Sequence, residues 1–227
     1  MSVLLERIDT EELNGQAVFC VPCMCAPPVY RLVKRVFDVV ISALLLVALS
    51  PLILIVALCV RLTSPGPIIF KQLRAGVGGK PFTMFKFRTM RDGAENDRDA
   101  LAVLNEQDGP VFKIAADPRL TRIGRFLRHT SIDELPQLIN CLLGQMSLVG
   151  PRPLWIDEAC QAKGQEKFRM SVKPGLTCLW QVSGRSELSY DKWVALDLYY
   201  VHHRSLLLDA MILVQTIPAV LSARGAY

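Results

Sequence analysis

The sequence predicts a mostly α-helical protein with one short β-hairpin, in which a compact domain is tied to a membrane by a single bent helix. Three observations carry this. Val36 to Val60 spans 25 residues with Asp38 as its only charge. As a straight helix it would extend roughly 37 Å, enough to cross a hydrocarbon core about 30 Å thick. Apolar residues recur at helical spacing at Leu135, Leu138, Ile139, Leu142 and Leu143, and again from about Leu188 to His203 and from about Leu206 to Leu221. Extended segments are confined to Ile68-Ile-Phe70 and Phe82 to Phe87, on either side of the turn Gly76-Val-Gly-Gly79.

The elements follow in order. Residues 1–30 carry acids, Pro22 and Pro27-Pro28 without an apolar signal-peptide core, and read as a poorly ordered lead-in. The membrane segment, 31–61, contains Ser50-Pro51 near its middle, and a proline there removes a backbone bond and kinks the helix. Arg31, Lys34 and Arg35 precede the segment, and Arg61, Lys71 and Arg74 follow it. The positive-inside tendency therefore places both ends in the cytoplasm. A kinked span and a re-entrant hairpin that enters and leaves by one leaflet are equally compatible with these residues. Residues 62–227 form the cytoplasmic domain. Its glycine cluster lacks the lysine spacing of a phosphate loop and reads as a hairpin turn. A polar helix is expected over Arg91 to Asn105 and a basic one over Pro118 to Arg128. Pro136 starts the next helix, with the N-cap at Ser131, Ile132 or Asp133, and Gly144 ends it. Asp209, Gln215 and Pro218 interrupt the last helix, which suits an interfacial or core position better than a span.

Asp133 and Glu134 fall at the positive end of the Pro136 helix, where its dipole favours an ionised carboxylate fit to act as nucleophile or metal ligand. Ser131-x-x-Glu134 also fits a capping box, and the two roles can coexist. The surroundings are basic. No acid occurs between Asp38 and Asp92, an interval that holds Lys86, Arg88 and Arg91; Arg119, Arg122, Arg125, Arg128 and Arg152 come later. On a strand, Lys86 and Arg88 share one face. A net charge of +5 suits nucleic acid, an anionic membrane or phosphorylated substrates. The adjoining membrane segment, and the lack of a recognition helix, argue against nucleic acid. The seven cysteines form no disulfide framework, and Cys20-Val-Pro-Cys23 with Cys25 has no second ligand pair for zinc. Cys59 and Cys141 sit in apolar runs as small hydrophobes, and His202-His203 reads as a surface pair.

Together, Lys34-Arg-Val-Phe-Asp38, Ser50-Pro51, Thr63-Ser-Pro-Gly-Pro67, Lys86-Phe-Arg-Thr-Met90, Thr130-Ser-Ile-Asp-Glu-Leu-Pro136 and Gly150-Pro-Arg-Pro153 closely resemble the bacterial sugar transferases. These are the monotopic polyprenyl-phosphate glycosyl-1-phosphate transferases, and the likeness runs from about Arg31 to the C-terminus. It implies a re-entrant membrane helix hinged at Ser50 and Pro51, and interfacial amphipathic helices on a domain at the cytoplasmic face of the bacterial inner membrane. It also implies transfer of a sugar-1-phosphate from a UDP-sugar to undecaprenyl phosphate with release of UMP, as the first membrane step of exopolysaccharide, O-antigen or capsule assembly. By the same likeness Asp133 is the nucleophile of a covalent phosphosugar intermediate, Glu134 helps hold Mg²⁺, and Lys86, Arg88 and Arg152 bind phosphate. The alternatives are a membrane glycosyltransferase that moves only the sugar and a non-enzymatic basic membrane scaffold. A homo-oligomer is left open, and no motif reads the identity of the sugar. Cys178 stands where many relatives have glycine, and His202-His203 replaces a more acidic pair.

Overall fold

A computed structural model describes residues 10–13, 16–19, 27–94, 97, 100–101, 103, 105–106, 110–111, 114, 117–184 and 188–222. Within the lead-in it pairs β1 (Thr10–Leu13) with β2 (Gln16–Phe19) in antiparallel register. Cys20, Cys23 and Cys25 lie outside the described residues.

The apolar segment is two helices, α1 (Pro28–Ala48) and α2 (Ser50–Thr63), bent by 63°. Among the described residues no single helix is long and apolar enough to cross a membrane, but this bent pair meets that test jointly. The bend has a local cause. Pro51 has no N–H to offer the carbonyl of Val47, and the Ser50 hydroxyl donates to that oxygen instead, at 2.8 Å. Leu49 still bonds back to Leu45, and Ile53 to Leu49, so the chain turns while losing few hydrogen bonds.

The predicted hairpin is β3 (Ile69–Ala75) with β4 (Pro81–Phe87), in register from Ile69 opposite Phe87 to Ala75 opposite Pro81. A 3₁₀ turn at Val77–Gly79 joins the strands. Within the stretch expected as a polar helix, Arg91 to Asn105, the described residues 91–94, 97, 100, 101 and 105 are irregular or in turns and 103 is in a 3₁₀ turn. Leu101 bonds back to Asp97, while Arg91 bonds to Arg119 beside the Met90–Leu120 bridge. The basic helix is α3 (Arg122–His129), shorter than expected because Thr121 caps it by accepting the Gly124 N–H.

The centre of the domain is α4 (Gln137–Leu143) laid across β4. Asn140, with no exposed surface, accepts the Phe85 N–H at 3.0 Å and donates to the Thr83 carbonyl and Gln145 side chain at 2.7 Å each. Gly144 ends α4 with φ +79°. β5 (Ser147–Val149) follows, then β6 (Leu154–Trp155), which pairs with β3, and α5 (Ile156–Gln161). β7 (Gly175–Thr177) lies parallel to β5, and α6 (Leu179–Ser183), α7 (Tyr190–His203) and α8 (Leu206–Ser222) complete the chain. The main core joins Phe82 and Met84 of β4, Leu138 and Cys141 of α4, Leu148 of β5, Tyr200 of α7 and Ile212 of α8. A second cluster packs Val56 and Val60 of α2 on Phe87 and Leu127. Exposed large apolar side chains are concentrated on α1, α2 and α8. His202 and His203 are exposed, as expected of a surface pair.

Two basic residues fasten α1 to the domain. Arg35 donates to the Cys141 and Leu142 carbonyls at 2.6 and 2.7 Å, engaging acceptors at the C-terminal end of α4. Lys34 pairs with buried Asp209 of α8 at 2.9 Å, and Tyr200 donates to the same carboxylate at 2.8 Å. Asp38, 2% exposed, accepts the Leu148 N–H of β5.

Candidate active site

Asp133 and Glu134 are not in the first turn of α4. Ser131 adopts a left-handed conformation, φ +57°, unique among the described non-glycine residues, and this turn sets Ile132–Glu134 apart as a 3₁₀ turn. Pro136 then serves as the N-cap of α4 rather than its first residue. The capping box does not form, for Ser131 makes no side-chain cap and Glu134 turns elsewhere. Its Oε1 lies 2.6 Å from Lys86 Nζ on β4. Asn140 makes this meeting reproducible, because its bonds to Thr83 and Phe85 fix α4 against the strand that carries Lys86.

Asp133 is 6% exposed. Burial pushes its carboxyl up to about 6, and the neighbouring Glu134 charge adds to the rise; Lys86 and Arg128 oppose it. Set apart from the helix mouth and shielded from water, this carboxylate does not gain the strong ionisation expected of a first-turn position. Arg128 is the site residue that sequence reasoning did not single out. It ends α3 half-buried, its Nε donates to Thr89 Oγ1 at 3.1 Å, and burial lowers its pKa while Asp133 and Glu134 pull it back up. The signal was its position five residues before Asp133 in a basic helix. The site thus gathers two carboxylates and two cations from β4, α3 and the 3₁₀ turn.

The other predicted residues sit apart. Arg88, 5% exposed, turns its guanidinium onto the Ser64 and Pro65 carbonyls at 2.7 and 2.6 Å and onto Ser64 Oγ at 2.9 Å. It fastens the loop leaving α2 to the end of β4. Arg152 follows β5 in a loop that close backbone contact holds in place: a Cβ on Gly175 would come within 2.1 Å of Gly150 N, and one on Gly150 within 2.4 Å of Lys173 O. Its guanidinium makes no hydrogen bond among the described residues, and its closest charged contact is Glu158 at 3.9 Å. Ser50 and Pro51 form the bend described above. Cys178, the departure noted in the sequence, is 2% exposed and packs with Trp180 and Trp193.

The arrangement is thus a bent apolar helix pair with the joint length and composition to cross a membrane, a domain fastened to it through Lys34, Arg35 and Asp38, and an acid pair beside two cations. The family described as bacterial sugar transferase matches residues 29–223, and the chain belongs to it. The exopolysaccharide production protein ExoY of Sinorhizobium fredii is 43% identical over 204 residues, which cover 88% of this chain and 90% of that protein. The undecaprenyl-phosphate galactose phosphotransferase of Salmonella typhimurium is 43% identical, over 87% of this chain and 42% of its own length. The UDP-glucose:undecaprenyl-phosphate glucose-1-phosphate transferase of Escherichia coli is 40% identical, over 96% of this chain and 46% of its own length. The chain thus spans nearly all of the first relative and under half of the other two.

Proposed function

We propose that this chain transfers a sugar-1-phosphate from a UDP-sugar to undecaprenyl phosphate in two steps through Asp133, at the cytoplasmic face of the bacterial inner membrane. The observation that carries the reading is the buried Asp133 beside Lys86, Glu134 and Arg128 in a chain of this family. In the first step an Asp133 carboxylate oxygen attacks the phosphorus that bears the sugar. The bond to the bridging oxygen breaks, and UMP leaves with the electron pair. In the second, an oxygen of undecaprenyl phosphate attacks the same phosphorus and frees the carboxylate. Each step needs charge on the phosphoryl oxygens balanced and the entering and leaving oxygens held in line. Lys86 and Arg128 supply fixed cations beside Asp133, and Arg152 offers unengaged donors for a phosphate. In this reading Arg88 supports the loop after α2 and does not bind phosphate.

Of the acid pair, Glu134 would supply a carboxylate to Mg²⁺, which is held by one or two carboxylates and takes its remaining oxygens from water and substrate phosphates. Among the described residues no group of three or more His, Cys, Asp or Glu is gathered. Bound there, the ion would neutralise phosphate oxygens during transfer. We further read α1 and α2 as re-entrant, with both ends on the cytoplasmic side and the exposed apolar faces of α1, α2 and α8 in lipid.

The test is product identity. Purified protein in lipid nanodiscs, offered undecaprenyl phosphate and a panel of UDP-sugars, should release UMP with one of them. Release of UDP would assign the alternative in which only the sugar moves, and no turnover with any donor would favour a scaffold. Asp133→Asn should abolish UMP release and exchange of labelled UMP into the UDP-sugar. Exchange surviving in a folded Asn variant would remove the covalent step.

A further inference from the structure

Arg152 is set in a seat whose walls have no part in the chemistry proposed above. Glu158, on α5, is 4% exposed. Its Oε2 accepts the Trp155 N–H at 3.1 Å, closing the start of α5, and lies 3.9 Å from Arg152 Nη1. Its Oε1 is buried without a hydrogen-bond partner. A buried carboxylate oxygen left in that state is costly for a fold that needs only a helix cap, since a glutamine caps equally well. On the other side the Arg152 guanidinium lies 6.0 Å from the ring centre of Trp193, which is 2% exposed and stacked on Trp180 at 4.4 Å. Close enough to feel the Arg152 charge, Arg169 and Asp197 form a buried pair, with Arg169 Nε and Nη2 at 3.0 and 2.7 Å from one carboxylate oxygen.

We infer that Glu158 is a positioning residue that holds the Arg152 guanidinium between its carboxylate and the Trp193 ring, so that the fork meets the phosphate of the nucleotide sugar already oriented. The distance matters. At 3.9 Å the carboxylate attracts the guanidinium without occupying any of its N–H groups, which stay available to a phosphate. Arg88 shows the contrast, with its donors committed to Ser64 and Pro65. Without the charge on Glu158, the side chain would spread over several rotamers, and binding would have to order it again.

The inference rests on the reading of Arg152 as a phosphate ligand, and a double-mutant cycle separates the two. Glu158→Gln keeps the cap and removes the charge. It should raise KM for the nucleotide sugar about two- to tenfold, the range expected for re-ordering one long side chain, with kcat and Tm near the native values. In an Arg152→Ala background the same substitution should change KM no further. If Arg152→Ala alone leaves KM unchanged, the phosphate reading of Arg152 fails. If Arg152→Ala raises KM and Glu158→Gln does not, or the Glu158 effect persists without Arg152, the positioning role is overturned. A lowered KM would make Glu158 a competitor for Arg152 and overturn it too. Should Glu158→Gln fail to fold, Trp193→Phe tests the other wall: a KM increase that vanishes with Arg152→Ala supports the seat, and one that persists refutes it.

Discussion

A carboxyl with 6% of its surface in water, as Asp133 has, loses its hydration before any cation repays the loss, so its pKa stands near 6 although Lys86 and Arg128 oppose the rise. In metal-free protein, carbon NMR of labelled aspartate should find this titration near 6. Lys86→Met should move it up and Glu134→Gln down; a midpoint near 4 in the native chain would contradict the burial argument. The sign for stability follows. A carboxyl whose folded pKa lies above its unfolded value of 3.8 contributes stability below that value and loses it as pH rises through 6. At pH 7.5 Asp133→Asn should therefore raise Tm while removing turnover. An unchanged or lower Tm would refute it. The two arginines should also part company. Arg152→Ala should weaken use of the donor by about 1.5–3 kcal/mol, as for a bond to a charged group, with little effect on Tm. Arg88→Ala should lower Tm, since it strips the Ser64 and Pro65 carbonyls of their donors.

Among the elements, the hinge between α1 and α2 depends on one hydroxyl. Ser50→Ala would leave the Val47 carbonyl without a donor in an apolar setting. It should lower Tm in nanodiscs by more than Ser50→Thr, which keeps the hydroxyl; equal losses would show that the bond has no weight. The bend and the C-terminal end of α4 were legible in the sequence, because proline and glycine act on the backbone where they stand; its start lies a few residues later than expected, after the 3₁₀ turn that the left-handed Ser131 sets apart. The acid pair was legible too, though as a helix cap or a catalytic pair alike. What the fold adds is Lys86, 48 residues away along the chain, brought to Glu134 by the seating of α4 on β4. No local pattern reports such a meeting. The partners of Arg88 in the fold, Ser64 and Pro65, lie 24 and 23 residues upstream, and no local pattern announces them either.

At the scale of the whole molecule, a re-entrant α1–α2 places residues before Arg35 and after Arg61 on one side. Single cysteines at Tyr30 and Lys71, on a background without native cysteines, should both resist a membrane-impermeant thiol reagent in spheroplasts and react once the membrane is opened. Labelling of the Tyr30 position from outside would instead make the pair a single kinked span. Replacing Ser50 and Pro51 with Ala and Leu should straighten the helix and expose that position to the outside in a fraction of molecules. Arg35 gives the membrane pair a second part in this architecture. It bonds the last carbonyls of α4, so the helix next to the acid pair is gripped at its far end by a residue of α1. On the membrane reading proposed above, bilayer thickness should then bear on turnover. A detergent or a thin lipid that shifts α1 by a fraction of a turn would pull on α4, and a preparation could remain monodisperse and fully helical yet turn over slowly until lipid of the native thickness is restored.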